Sequence, residues 1–384
     1  EMPEQTYLEL GVWYHNLNLP ERSLKILEQS PENPIVCYWK AFLNDILNVK
    51  TEKTINLQKA LKGEMFFLFP FREESRTVFE SALKEQSHWR PRYLLALLYK
   101  SRNRNNESYR LLSSVTEKVN FAPLCSFRAQ FEINLPAKEN YLKTTVSVAP
   151  TGWRYINDLT HYYLINNEYK KALETIAPFY KKNPNPYLTG LLYIQVLIKN
   201  KDYEFAEKVL NNVVVLPAES NSDRHKLYRQ TKLMLAVEAL LKNNVTCAKQ
   251  KVYEASLYPC NLGVLKPNDE DIDFRLKDWL DAMIAQKRGK ITEKNEYLRK
   301  VAFSNKRDVS INCLLQILAF YQLGEKQRAE GILKDWLSMQ NDPNMKAWGT
   351  TFYNTHKDKE YPFDYGQITK IIESITRFEF VRMF

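Results

Sequence analysis

Four carboxylates fall within five consecutive residues of the stretch NLGVLKPNDEDIDFRLKDWL (261–280): Asp269, Glu270, Asp271 and Asp273. Carboxylates this dense can hold a hard cation, dock a cationic partner, or open a helix whose dipole favours negative charge at its start. A calcium loop needs a central Gly and a closing Glu, and the stretch has neither. The helix reading uses every residue. Asn268 serves as N-cap, Asp269, Glu270 and Asp271 fill the first turn, and Pro267 and Ile272 staple the entry. Asp271 to Arg275 and Asp273 to Lys277 then form i,i+4 pairs. Helix initiation is therefore the expectation. The four carboxylates also stand as a candidate docking patch, because they exceed what one cap requires.

Elsewhere the chemistry-bearing residues are dispersed. His15, His88, His161, His225 and His356 show no HExxH or HxH spacing, so no zinc site is expected. Cys37, Cys125, Cys247, Cys260 and Cys313 are odd in number and far apart, which suits neither a disulfide framework nor a CxxC metal site. Glycine-rich phosphate loops and the GxSxG nucleophile elbow are absent. No catalytic residue, metal or cofactor is expected. The net charge is +10, from 55 basic and 45 acidic residues, but Lys and Arg come in ones and twos, so nucleic acid is not an expected partner. No apolar run reaches the roughly 18 residues that span a membrane. Reduced thiols favour the cytoplasm, although Glu1 ahead of Met2 does not read as a native start.

The elements that must position any site are helices. Gly is scarce (10), hydrophobic residues make up 44%, and no alternating β-branched runs occur. The segment LTHYYLINNEYKKALETIAPFYKKNP (159–184) places Tyr169 three residues ahead of Ala172, and Tyr203 and Ala206 take the same places 34 residues on. The small residue lets the second helix of a pair approach the first. Equivalent small positions hold Ser23, Ser108, Ala248 and Ala329, with Gly289 and Gly324 at turns. Weaker copies are 281–302, with Lys294 in the small position, and 36–61. Seven or eight such hairpins imply an all-α, right-handed α-solenoid of tetratricopeptide-like pairs, because no hairpin buries its apolar face alone. The expected organisation is 1–149, with an irregular aromatic insert near 62–75; 150–340; and 341–384, a linker and capping helix carrying Ile368, Ile371, Ile372 and Ile375.

In such repeats the second, fifth, ninth, twelfth and thirteenth positions of each first helix line the groove. Counting back from the small residues gives Arg90 and Tyr93, then Arg154, Asn157 and His161, then Gln195 and Lys199. This polar set among aliphatic neighbours suits a peptide with an acidic group. Farther along, Leu233, Val237, Trp279, Met283, Leu314 and Leu318 make the same positions apolar.

The stretches NLPERSLKILEQSPENPIVCYW, FPFREES, HWRPRYLLALLY, VVVLPAES and NLGVLKPNDEDIDFRLKDWL together resemble the tetratricopeptide half of large bacterial proteins. The N-terminal half of those proteins is a domain of unknown function related to carbohydrate-processing β-sandwiches. The resemblance spans nearly the whole chain and brings no catalytic motif. It implies a carbohydrate-related setting. The expected function is a non-catalytic scaffold whose groove binds a protein, a peptide or another domain of the same polypeptide. The alternative is an accessory region that contributes glycan binding.

Overall fold

The computed structural model describes residues 3–65, 68–216, 222–268, 272–305, 310, 312–341, 343–356 and 372. Among them there is no β-strand, and the chain divides into two compact units, Glu1–Tyr155 and Ile156–Phe384. Eight helical hairpins follow one plan. They are α1 (Pro3–Asn16) with α2 (Pro20–Glu28), α3 (Pro34–Ile46) with α4 (Lys50–Lys62), and, after the lone α5 (Ser75–Glu85), α6 (Trp89–Ser101) with α7 (Asn105–Ser113). A ninth hairpin, α8 (Ala122–Phe131) with α9 (Leu135–Val148), turns differently. The plan resumes in α10 (Trp153–Ile165) with α11 (Tyr169–Lys182), α12 (Tyr187–Lys199) with α13 (Tyr203–Asn212), and α14 (Ser222–Leu241) with α15 (Val245–Glu254). It ends in α16 (Arg275–Lys287) with α17 (Ile291–Ala302), and α18 (Asn312–Gln322) with α19 (Lys326–Met339), before α20 (Pro343–His356). The architecture is the all-α hairpin repeat of the α-solenoid class.

The common plan has a local cause. Each of the eight turns places one residue in the left-handed region: Asn18, Asn48, Asn103, Asn167, Lys201, Asn243, Gly289 and Gly324. Asn and Gly tolerate that conformation best. The chain then closes a Schellman motif. In the first hairpin Leu19 N–H donates to the Tyr14 carbonyl at 3.1 Å and Asn18 N–H to that of His15 at 2.9 Å. In the last, Glu325 and Gly324 donate to Phe320 and Tyr321 at 3.0 and 3.1 Å. Even the weak copy at 36–61 closes it, through Val49 to Asn44 at 2.8 Å.

Five residues after the turn residue comes the small position. Ser23, Ser108, Ala172, Ala206, Ala248 and Ala329 are all fully enclosed there. The two serines donate back to the first helix, Ser23 Oγ to the Gly11 carbonyl at 2.7 Å and Ser108 Oγ to that of Ala96 at 2.8 Å. Gly11 itself is required by this approach, since a Cβ would meet Leu27 Cδ2 at 2.9 Å. Lys53 takes the small position in the weak copy and turns its ammonium outward to Asp45 (2.7 Å) and Glu85 (2.8 Å).

A second device closes the far end of second helices, where carbonyls lack intrahelical partners. Asn261 Nδ2 bridges Leu210 and Val213 at 2.9 and 2.8 Å, and Gln316 Nε2 bridges Ala302 and Ser304 at 2.8 and 3.1 Å. Arg128 does the same for Leu112 and Val115. Between α4 and α5 the described residues of the insert, 63–65 and 68–74, are irregular, and Met65, Leu68 and Pro70 pack inward from it.

The acidic entry departs from expectation. The helix begins at Arg275, with Phe274 at the cap position and Asn268 in irregular chain, so Asn268 does not cap it. Asp269, Glu270 and Asp271, and with them the Asp271–Arg275 pair, lie outside the described residues. Asp273 pairs with Arg275 at 2.8 Å, while Lys277 turns to Asp281 at 2.8 Å. The reason is burial: Arg275 is only 1% exposed, and an enclosed guanidinium takes the nearest carboxylate. Of the tail positions, Ile372 is helical and fully buried, and Ile368, Ile371 and Ile375 lie outside the described residues.

Candidate functional site

The first helices α10 and α12 carry the feature that sets them apart. At the fifth and ninth positions of the eight planned hairpins the chain places Leu8 and Val12, Tyr38 and Phe42, Tyr93 and Leu97 in the first unit. Farther on it places Leu233 and Val237, Trp279 and Met283, Leu314 and Leu318. Only α10 and α12 place an amide or an imidazole there, with Asn157 and His161 on the former and Gln195 beside Leu191 on the latter, although the enclosed Tyr38 hydroxyl on α3 also lacks a partner among the described residues. Asn157 is 8% exposed and its Oδ1 has no hydrogen-bond partner among the described residues. Gln195 is half-buried and its Oε1 is likewise enclosed without a partner. The hydroxyls of Thr160 and Thr189 on the same two helices share that condition.

An enclosed polar atom without a partner costs about 1–3 kcal/mol. A carboxamide offers a donor and an acceptor in one plane, the complement of a peptide group. One neighbour adds to this and was not legible in sequence. Asp158 follows Asn157 on α10, and burial pushes its carboxyl up to about 6. Near neutral pH it is therefore poised to hold or release a proton. A charge inside the apolar run YINDLTHYYL was the available signal.

The other expected groove residues divide. Arg154 is exposed on α10, its guanidinium 4.7 Å over the Trp153 ring, and Lys199 is exposed at the end of α12. His161 is half-buried, one turn along from Asn157. In the first unit Arg90 is spent on the fold. Its Nη1 donates to the Ala60 carbonyl at 3.0 Å and to that of Gly63, closing α4 as Arg128 closes α7. Burial pulls its pKa below the usual arginine value. Tyr93 is 6% exposed, with its ring centroid 5.5 Å from Phe121 and 6.1 Å from Phe127. Both follow from what surrounds them, which position counting along one helix does not register.

Asp273 is turned inward as well. Burial alone would raise its pKa, but Arg275 and Asn312 hold it below the usual value. The described residues contain no group of three or more His, Cys, Asp or Glu that could hold a metal ion, and no helix long and apolar enough to cross a membrane.

No family model and no curated protein matches the chain. Solved structures superpose on it loosely. The C-terminal part of a TPR repeat-containing protein from Cytophaga hutchinsonii is 9% identical, covering 65% of this chain and 93% of its own, with a TM-score of 0.37. Yeast Tom70 is 12% identical, covering 92% of this chain and 88% of its own, at 0.36. A tetratricopeptide repeat protein from Parabacteroides merdae is 13% identical, covering 88% and 98%, at 0.34. At such identity and overlap these likenesses carry no argument, and the chain's own turns and small positions carry the description of it as a tetratricopeptide-type hairpin repeat.

Proposed function

We propose that this chain is a non-catalytic scaffold that binds an extended peptide or protein segment along the first helices α10 and α12. The observation that carries the reading is the pair Asn157 and Gln195. Their oxygens are enclosed and unpartnered among the described residues, in positions that the other planned hairpins fill with aliphatic or aromatic side chains. A ligand main chain laid across them would satisfy both amides, and the exposed Arg154 and Lys199 would attract an acidic side chain beside it.

Display of a random peptide library against the full chain tests this. Enriched sequences should bind the unmodified chain, and the variant Asn157→Leu with Gln195→Leu should lose them. The same variant should unfold at higher denaturant, since Leu matches the other hairpins and removes two unpartnered amides worth about 1 kcal/mol or more each. No enriched sequence, or equal binding by the variant, would overturn the proposal. A glycan array run on the same two proteins separates the carbohydrate alternative.

A further inference from the structure

The outward face of α1 is apolar. Leu10, Trp13 and Leu17 follow one another at steps of three and four residues and are 43%, 55% and 50% exposed. Among the described residues no other helix exposes more than one large apolar side chain. Single ones are ordinary on a protein surface, whereas a contiguous stripe marks a face made to be covered.

The repeat plan shows what covers such a face. Trp13 stands five residues before the turn residue Asn18. The corresponding Leu43, Leu98, Val196, Ile284 and Ala319 are buried, and Glu238 is half-buried. At the five buried positions the preceding helix lies against the first helix: α2 on α3, α5 on α6, α11 on α12, α15 on α16 and α17 on α18. Side chains mark the contact. Asn200 Nδ2, at the end of α12, donates to the Tyr169 carbonyl of α11 at 2.9 Å, and Gln316 Nε2 of α18 to that of Ala302 in α17 at 2.8 Å. On α1 the same positions are apolar with no described helix over them, although the closing face of a repeat array is ordinarily polar.

We propose that this face pairs with the same face of a second copy of the chain, α1 antiparallel to α1. No other described helix offers an apolar stripe, so the complement on the chain's own surface is α1 itself. Pro3, Thr6, Leu10, Trp13 and Leu17 alternate steps of three and four, the seam of a two-helix coil, and none is charged. About a two-fold axis between Leu10 and Trp13, each Leu10 meets the second copy's Trp13 and each Thr6 its Leu17. Glu9, tied by Arg72 at 3.3 Å, then comes beside an uncharged Tyr14, so no like charges meet. One helix face is smaller than the roughly 800 Å² per partner of a standard interface, so the pair should form reversibly. The pairing involves neither α10 nor α12 and does not depend on the peptide reading.

Sedimentation velocity of the full chain, from about 1 to about 200 µM, tests the proposal. The mean mass should rise toward twice that of one chain, and Trp13→Glu should hold it at one chain throughout. Trp13 is exposed in the single chain, so this variant should melt with the parent at about 1 µM, which separates lost pairing from lost folding. Phe205→Glu, at a solitary exposed ring on α13, should leave the rise in place. Leu10→Lys should also stay single, yet an equimolar mixture of Leu10→Lys and Trp13→Glu should associate. The antiparallel register sets position 10 of one copy against position 13 of the other, where opposite charges attract. The mass of one chain at every concentration would sink the proposal and leave the face to a helix of another polypeptide. So would a rise that survives both substitutions, or a mixture that stays single.

Discussion

In Glu1–Tyr155 a set of enclosed rings packs among aliphatic side chains. Trp39 donates to Ser75 Oγ at 3.1 Å, Tyr38 meets Phe79 edge-on at 5.8 Å, and Trp89, Tyr93, Phe121 and Phe127 form one cluster. Ile156–Phe384 also buries rings, Trp279 and Trp336 among them, but where the described residues of the first unit enclose the charge of Lys40, it encloses Lys232, Arg275 and Asp281. Lys232 joins Glu207 and Glu254, and Lys251 reaches the same two carboxylates at 2.7 and 3.1 Å, closing a four-membered ring of charge across α13, α14 and α15. Arg275 and Asp273 form a second enclosed pair. Apart from Lys53 and Lys294, the small position differs in the same sense, with hydrogen-bonded Ser in the first unit and Ala in the second. One backbone plan thus accepts two interior chemistries. The packing of rings should respond little to pH and salt, whereas enclosed charge should respond to pH.

One of the two largest effects should come from breaking one member of the charge ring. Lys232→Met leaves Glu207 and Glu254 to share Lys251 alone, and should destabilise by about 3 kcal/mol. Hydrogen exchange read by mass spectrometry should show the loss in α13 to α15 with α3 to α6 unchanged. Phe79→Ala is the counterpart in the first unit, with a loss of about 3–5 kcal/mol from the cavity it opens. That loss should be equal at pH 4 and pH 7. A pH-dependent value would break the contrast between the units.

Acid should separate them next. Burial alone would raise Glu207 and Glu254, but hydrogen bonds from Lys232 and Lys251 bring both below the ordinary 4.5. Their stabilisation is therefore present above about pH 4.5 and is lost as pH falls through the lower folded values. Exchange in α13 to α15 should accelerate there before exchange in α3 to α6. Asp158 has the opposite sign. With its folded value raised from 3.8 to about 6, its contribution is full at low pH and is lost as pH rises through 6. Asp158→Asn should raise the melting temperature at pH 7.5 and leave it unchanged at pH 3.5, as scanning calorimetry can check. The smallest effect is Ser108→Ala. It removes one hydrogen bond for about 1 kcal/mol and makes the first unit resemble the second at that position.

Much of this was legible from residue spacing. Asn or Gly at the turn and Ser or Ala five residues later are local requirements of backbone conformation and close approach, so Ala172 and Ala206 disclosed the plan. Asn157, His161 and Gln195 were legible because a helix position fixes a face. Arg90 and Asp273 were not, because their partners come from other elements: the carbonyls that end α4, and Arg275 with Asn312. Asn268 has the chemistry of a cap, yet the enclosed Arg275 and its ties to Asp273 set the helix start farther along. Local propensity weighs tenths of a kcal/mol against several for an enclosed ion.

The eight matching turns bear on how the chain reaches its native state. Each Schellman closure joins residues five or fewer positions apart, and Ser23 and Ser108 each reach their own first helix 12 residues back. A hairpin can thus form before anything downstream of it exists. Contacts of such short sequence separation close quickly, and in repeat arrays order can begin at any hairpin and spread to its neighbours. The chain is suited to vectorial folding, each turn completing as it leaves the ribosome.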